Sequence, residues 1–144
     1  MTLIVKTITR LIAGFIFLWG VYIVLNGHIS PGGGFAGGVV MAGSFVLVLL
    51  AFGVEKVKIQ TEKWRAAVLE SAGIFVFWLL AMVGIFTASS FFLNFIAKTH
   101  PGEPMSLFSA GIIPLCNIGI GIEVGAALFS IVIALAVLKG EGES

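Results

Sequence analysis

The residue with the clearest potential for chemistry is Glu123, an acid inside a long apolar run at residues 112–138. If this run is one helix rising about 1.5 Å per residue, Glu123 lies about 16 Å from its start. A carboxylate deep in apolar surroundings must be protonated, paired with a cation or reached by water, and such residues commonly mark ion or proton routes. Glu123 is therefore our first candidate for an ion path. The alternative is a structural contact with a basic residue of a partner subunit.

The helical repeat places small and mildly polar residues on the same side of this run as Glu123. Residues about three, four or seven positions apart share a helix face, which groups Cys116, Gly119 and Ser130 with Glu123. A stripe of this kind can line a cavity beside the carboxylate. Ser130 is therefore a second candidate for the ion path.

A second polar feature is the segment NGHISPGGGFAGG, residues 26–38, which stands between two apolar runs. Glycines adopt backbone angles that other residues avoid, and Pro31 fixes one angle and removes a donor, so residues 28–34 should form a tight, non-helical turn. Histidine titrates near neutral pH, which makes His28 a candidate to sense or relay protons. The alternatives are that His28 caps the turn by hydrogen bonding and that the turn is a plain connection.

Several common types of site are excluded by the same residues. A phosphate-binding loop needs Lys followed by Ser or Thr after its glycines, and a dinucleotide-binding loop needs a preceding strand. Cys116 is the only cysteine, which rules out an internal disulfide and a multi-cysteine metal site. The net charge is +1, without a long basic patch for nucleic acid. We predict no metal, no cofactor and no nucleic-acid partner.

The elements that must position these residues are membrane helices. Hydrophobic residues make up 59% of the chain and charged residues only 10%, against about 25% charged in a soluble domain. Four runs reach the roughly 20 apolar residues that cross a bilayer, and none alternates as barrel strands do. The sequence therefore predicts an all-α integral membrane protein: a single domain over residues 1–144, with helices at about 7–27, 34–53, 66–92 and 112–138.

The basic residues predict the orientation of these helices. Seven of the eight lie before or early in the first helix, between the second and third helices, or after the fourth. Only Lys98 lies in the link at residues 93–111. Because basic residues concentrate in cytoplasmic links, both termini should face the cytoplasm, and residues 26–33 and 93–111 the outside.

Small residues recur at the spacing used for helix packing. Gly34, Gly38 and Ala42 form one stripe, and Gly121 with Gly125 another. These stripes serve contacts either within this chain or with neighbouring subunits. A chain of 144 residues with four membrane helices has no separate catalytic domain, so we expect a subunit of a larger assembly rather than an enzyme.

Two segments resemble the MrpB (MnhB) family. The first is the hinge motif: Gly27 and His28, two further residues, then Pro31, Gly32, Gly33, Gly34 and Phe35, one residue, then Gly37 and Gly38. The second is Pro114, Asn117, Ile118 and Gly119, which is similar to the family's segment of proline, a later Asn or Asp, and Gly. With four helices and about 140 residues, the resemblance covers nearly the whole chain.

Proteins of this family are small subunits of multisubunit Mrp sodium/proton antiporters, and homologues serve in archaeal membrane-bound hydrogenase and sulfane sulfur reductase complexes. The resemblance implies a multi-pass protein of a prokaryotic cytoplasmic membrane. It implies that the chain helps to form a sodium path beside other Mrp-type subunits, including large antiporter-like subunits that carry protons. Asn117 thereby joins Glu123, Ser130 and His28 as an ion-path candidate.

Three functions remain open at this point. The chain can belong to an antiporter in which a proton gradient drives sodium export. It can be the equivalent ion-translocating subunit of a hydrogenase or sulfane sulfur reductase complex, with the catalytic centres in other subunits. It can also be a structural spacer that contacts no ion.

Overall fold

The computed structural model describes residues 2–53, 59–88, 90–99, 102, 105 and 109–141. Within these ranges all regular structure is helical: α1 (Leu3–Leu25), α2 (Gly34–Phe52), α3 (Ile59–Ala88), α4 (Phe95–Thr99) and α5 (Ile113–Glu141). Four of these helices, α1, α2, α3 and α5, are long and apolar enough to cross a membrane. The predicted all-α architecture with four spans is confirmed, while the cytoplasmic location of the termini stays a prediction.

The third helix departs most from its predicted range of 66–92. It begins at Ile59 although its apolar part begins at Trp64, because polar residues that favour helix extend it beyond the span. It ends at Ala88, before Phe92, whose φ of 58° is the left-handed conformation and does not continue a helix. The prediction followed hydrophobicity alone and was shifted toward the C-terminus at both ends. Lys56 and Lys58, which contributed to the predicted orientation, lie outside the described residues.

The four long helices pack in the spatial order α1, α2, α5, α3, so that α2 and α5 are central. Glycines stand where these helices approach most closely. A Cβ on Gly20 of α1 would lie 3.0 Å from the carbonyl oxygen of Gly37, and one on Gly38 of α2 would lie 2.8 Å from that of Gly121. Such approaches give van der Waals contact between backbones in lipid, where helices lack a hydrophobic drive to associate. The predicted stripes of small residues thus serve packing within this chain.

The link between α3 and α5 contains the short helix α4, which the sequence did not predict because five residues are too few to show a helical period. Asn94 holds it against the start of α5. Its Nδ2 donates to the Ala110 carbonyl at 2.8 Å, and its Oδ1 accepts from the backbone N–H groups of Ala97 and Ile112, both at 3.1 Å. This single side chain therefore joins the two ends of the link.

Candidate functional site

The connection between α1 and α2 is a short turn that folds over Asn26. The backbone N–H groups of Ile29 and Ser30 both donate to the Asn26 carbonyl at 2.9 Å, and the Ser30 hydroxyl donates to it at 3.1 Å. His28 is half-buried within this turn, whereas Pro31 is exposed. The local hydrogen bonds explain how the chain reverses within eight residues, 26–33, between two membrane helices.

The glycines of this turn lie against the first turns of α5. Gly33 is buried with a φ of 93°, a conformation that strains any residue with a side chain. A Cβ on Gly34 would lie 2.5 Å from the Asn117 carbonyl oxygen and 2.9 Å from Ile120 Cβ, and one on Gly27 would lie 2.8 Å from Asn117 Nδ2. We refer to Gly27, Gly33, Gly34 and Asn117 as the hinge contact.

The rest of the hinge motif divides between two environments. Gly37 and Gly38 are buried against α1 and α5 respectively, since a Cβ on Gly37 would lie 2.9 Å from the Val24 backbone nitrogen. Gly32 and Phe35 are exposed, and Phe35 is 66% exposed. The motif therefore combines residues that close the packing with residues that are available to lipid or to another subunit.

Asn117 is the polar residue of the hinge contact. Its Nδ2 is buried and forms no hydrogen bond within the described part of the chain. The amide lies against the turn, since a Cβ on Gly27 would lie 2.8 Å from Nδ2 and one on Gly33 would lie 3.7 Å from Oδ1. Its position is therefore one of close packing.

Glu123 lines a space of about 200 Å³ that lies between α3 and α5 and is open on one side. The cavity is lined by Gly73, Ile74, Phe77, Gly119, Ile120 and Glu123. The side chain is half-buried, and its carboxylate forms neither an ion pair nor a hydrogen bond with any residue in the described ranges. We refer to this space as the Glu123 cavity.

Gly73 brings α3 close to the carboxylate. A Cβ at this position would lie 2.7 Å from both the Gly119 carbonyl oxygen and Glu123 Cβ, so any other residue would separate the two helices. The sequence alone did not indicate Gly73. Helical spacing relates Glu123 to other residues of α5, whereas Gly73 belongs to the facing helix, α3. The available signal was the group of small residues Ser71, Ala72 and Gly73 directly before the bulky apolar stretch at residues 74–80.

The four ion-path candidates do not form one cluster. Gly119 lines the Glu123 cavity, as the predicted face of α5 requires, but Ser130 does not line it. Asn117 contacts the turn between α1 and α2, and His28 lies within that turn. Among the described residues no group of three or more His, Cys, Asp or Glu side chains is placed to hold a metal ion.

Comparison with known proteins identifies the family. Residues 4–138 match the family model described as a domain related to the MnhB subunit of Na+/H+ antiporter. The chain belongs to the MnhB family. The resemblance inferred from the hinge motif and from the segment around Asn117 is thereby confirmed. As an MnhB protein with four apolar helices, the chain is a multi-pass protein of the cell membrane.

Three relatives are similar to this chain over different shares of their own length. The putative antiporter subunit mnhB2 of Staphylococcus saprophyticus is 30% identical, over 84% of this chain and 89% of that protein. The uncharacterized protein MJ1307 of Methanocaldococcus jannaschii is 38% identical over 76% of this chain, but the match covers only 42% of that protein. A chain of the archaeal membrane-bound sulfane sulfur reductase, a respiratory membrane complex, superposes with a TM-score of 0.79 at 31% identity, over 94% of this chain and 58% of its own length.

Proposed function

We propose that this MnhB protein is a small membrane subunit of a multisubunit cation/proton antiporter of the Mrp type and helps to form its sodium path. The observation that carries the proposal is the Glu123 cavity. A carboxylate about 15 Å from the start of α5, at about 1.5 Å per residue, faces open space between two membrane helices. Its side chain pairs with no residue in the described part of the chain.

The cavity suits a hydrated cation. Its volume of about 200 Å³ exceeds the roughly 10–15 Å³ that one water needs, so water can lie beside the carboxylate. Carboxylate, carbonyl and water oxygens are ligands of hard cations, and a carboxylate binds either a proton or a cation. Competition between Na+ and a proton for one carboxylate would couple the two ions.

The hinge contact has a different part in this proposal. It holds the start of α5 against α1 and α2, and thereby fixes the helix that carries Glu123. We assign the backbone of Asn117, which Gly34 contacts, to this positioning, while His28 and Ser130 stay candidates for polar contacts outside the Glu123 cavity. Catalysis and cofactors, where the complex has them, belong to other subunits. The proposed partners are other Mrp-type membrane subunits, including large antiporter-like ones.

Replacing Glu123 tests the proposal in the assembled complex. Glu123→Gln keeps the shape and removes the charge, so we expect sodium-dependent transport in vesicles to fall about tenfold or more, because losing one partner of a buried charge interaction costs several kcal/mol. Glu123→Asp should retain part of the activity. Glu70→Gln, the same change at a half-buried glutamate of α3 that does not line the cavity, is the matched control.

Two outcomes would contradict this role. Normal assembly with wild-type sodium transport by the Glu123→Gln variant would remove Glu123 from the ion path and favour a structural spacer. Loss of assembly would instead indicate that Glu123 pairs with a basic group of a partner subunit, which is left buried and unpaired by the substitution.

A second candidate is the same role in a redox-driven complex. It is favoured by the superposition on a chain of the sulfane sulfur reductase, at a TM-score of 0.79. Purification of the native complex followed by iron and nickel analysis distinguishes the two candidates. Stoichiometric metal in partner subunits would identify a redox complex, and a metal-free complex with sodium/proton exchange would identify an antiporter.

A further inference from the structure

A second and larger space has none of its lining residues in common with the Glu123 cavity. It is a groove of about 490 Å³ to which all four long helices contribute, with Phe17 from α1, Met41 from α2, Ala66 from α3 and Ala126 from α5. Arg65 is the one charged residue that lines it. The apolar span of α3 begins at Trp64, so we expect Arg65 near the level where the hydrocarbon core meets the headgroups. We refer to this space as the Arg65 groove.

The interior of the groove is shaped for a hydrocarbon chain. Three aromatic rings that line it contact one another: Phe17 and Phe45 have centroids 5.5 Å apart, and Phe45 and Phe129 have centroids 5.6 Å apart. Gly121 and Gly125 add no side chains to the lining. Every residue that lines the groove is therefore apolar or glycine, except Arg65.

A guanidinium that lines an otherwise apolar groove matches the chemistry of a lipid with a phosphate headgroup. Arginine carries five N–H donors and binds phosphate oxygens in pairs, so it can hold a phosphate in addition to other contacts. Basic groups near the membrane surface favour anionic over zwitterionic lipids. One molecule that joins an acyl chain to a negatively charged phosphate satisfies both parts of the groove at once.

We propose that the Arg65 groove binds one anionic phospholipid, with an acyl chain in contact with Leu69 and Ile122 and the phosphate at Arg65. The site is separate from the Glu123 cavity and does not depend on the transport role. Arg10 provides an internal comparison. Its guanidinium lies 5.0 Å from the centre of the Phe52 ring, on the same membrane side, and does not line the groove.

Photocrosslinking in the assembled complex tests the proposal. Leu69 lines the groove and is 51% exposed, so p-benzoylphenylalanine at this position places the reactive group beside the occupant. The complex is reconstituted in vesicles of equal phosphatidylglycerol and phosphatidylcholine, irradiated, and the adducts are weighed by mass spectrometry. We expect phosphatidylglycerol adducts to exceed phosphatidylcholine adducts about fivefold, the preference that one basic residue near the surface supplies.

Matched variants locate the two parts of the site. Arg65→Gln should bring the ratio of the two adducts close to one, whereas Arg10→Gln removes the same charge and should leave the ratio unchanged. Ile122→Trp fills the groove from α5 and should lower the yield of both adducts. Leu135→Trp, at an exposed α5 position that does not line the groove, should not.

A further test uses only the photoreactive residue at position 69 and needs none of these four substitutions. Because the preference is electrostatic, the adduct ratio at Leu69 should fall as salt is raised from about 0.1 M to about 1 M, over which the screening length shortens from about 10 Å to about 3 Å. Adducts to a partner subunit in place of lipid would overturn the proposal and make the groove a protein interface. A ratio that is indifferent to both Arg65 and salt would overturn it as well.

Discussion

Glycines of neighbouring helices meet α5 in two regions, and the result differs between them. At the hinge contact, Gly34 lies so close to Asn117 that a single added carbon would overlap the α5 backbone. One to two turns further along, Gly73 again brings a helix against α5, but here the approach leaves a cavity beside Glu123. Missing side chains thus close the packing in one region and border open space in the other.

The difference follows from what each region contains. In a bilayer, helices gain stability from close backbone contact, so a region without charge is most stable when it is filled. A carboxylate in the span is costly unless water, a proton or a cation reaches it. The Glu123 cavity provides room for such a partner, whereas the close approach of Gly34 to Asn117 leaves none at the hinge contact.

The largest expected effect is at the hinge contact, from Gly34→Val. Its branched side chain would meet the Asn117 carbonyl and Ile120. Overpacking of this kind costs about 1–3 kcal/mol, so we expect the amount of assembled complex to fall about tenfold. Gel filtration of detergent-solubilised complex measures it.

Gly43→Val is the matched control, because Gly43 lies on the same helix and a Cβ there would have no atom within 4 Å outside its local backbone. It should assemble normally. Equal yields of the two variants would show that the turn adjusts without cost and that the hinge is a plain connection.

A smaller effect is expected at the Glu123 cavity, from Gly119→Ala. The added Cβ would lie 3.2 Å from the Gly73 carbonyl oxygen and 3.7 Å from Val76 Cγ1, which requires a shift of a few tenths of an ångström and narrows the cavity. We expect assembly to be kept and sodium transport to fall severalfold, because a small displacement around a site impairs it more than it impairs the fold.

Gly125→Ala makes the same change where the added Cβ would lie 3.5 Å from the Gly38 carbonyl oxygen, an ordinary contact. Its transport should match that of the wild type. If Gly119→Ala transports normally as well, the dimensions of the Glu123 cavity do not control the ion path.

The sequence predicted the helices more completely than it predicted the sites. Length and hydrophobicity are properties of single segments, so the spans and their number followed directly from the four apolar runs. The hinge motif identified the family, since its order of Gly, His and Pro is specific. The contact of Gly34 with Asn117 required knowledge of which helices are neighbours, which a single sequence does not contain.

The candidate site shows the same limit more sharply. Helical spacing correctly placed Gly119 beside Glu123, because both lie on one helix. It gave no indication of Gly73 on the facing helix, nor that Asn117 faces the turn instead of the cavity. Asn94 was missed for a related reason, since its hydrogen bonds join residues 16 and 18 positions apart in the chain.

The smallest effect is expected from Asn117→Ala at the hinge contact. The variant compared with it is Asn94→Ala, at the asparagine that joins the two ends of the link between α3 and α5. Asn94→Ala removes the acceptor of two backbone N–H groups and one donor, and should cost about 1–3 kcal/mol. Asn117 Nδ2 has no hydrogen bond in the described part of the chain, so Asn117→Ala should cost about 1 kcal/mol or less. Thermal unfolding of the two variants in the same detergent measures the difference, and sodium transport should stay near the wild-type rate in Asn117→Ala. If transport falls while stability is unchanged, the Asn117 amide contacts the ion or its water, and the close-packed face of α5 belongs to the ion path together with the Glu123 cavity.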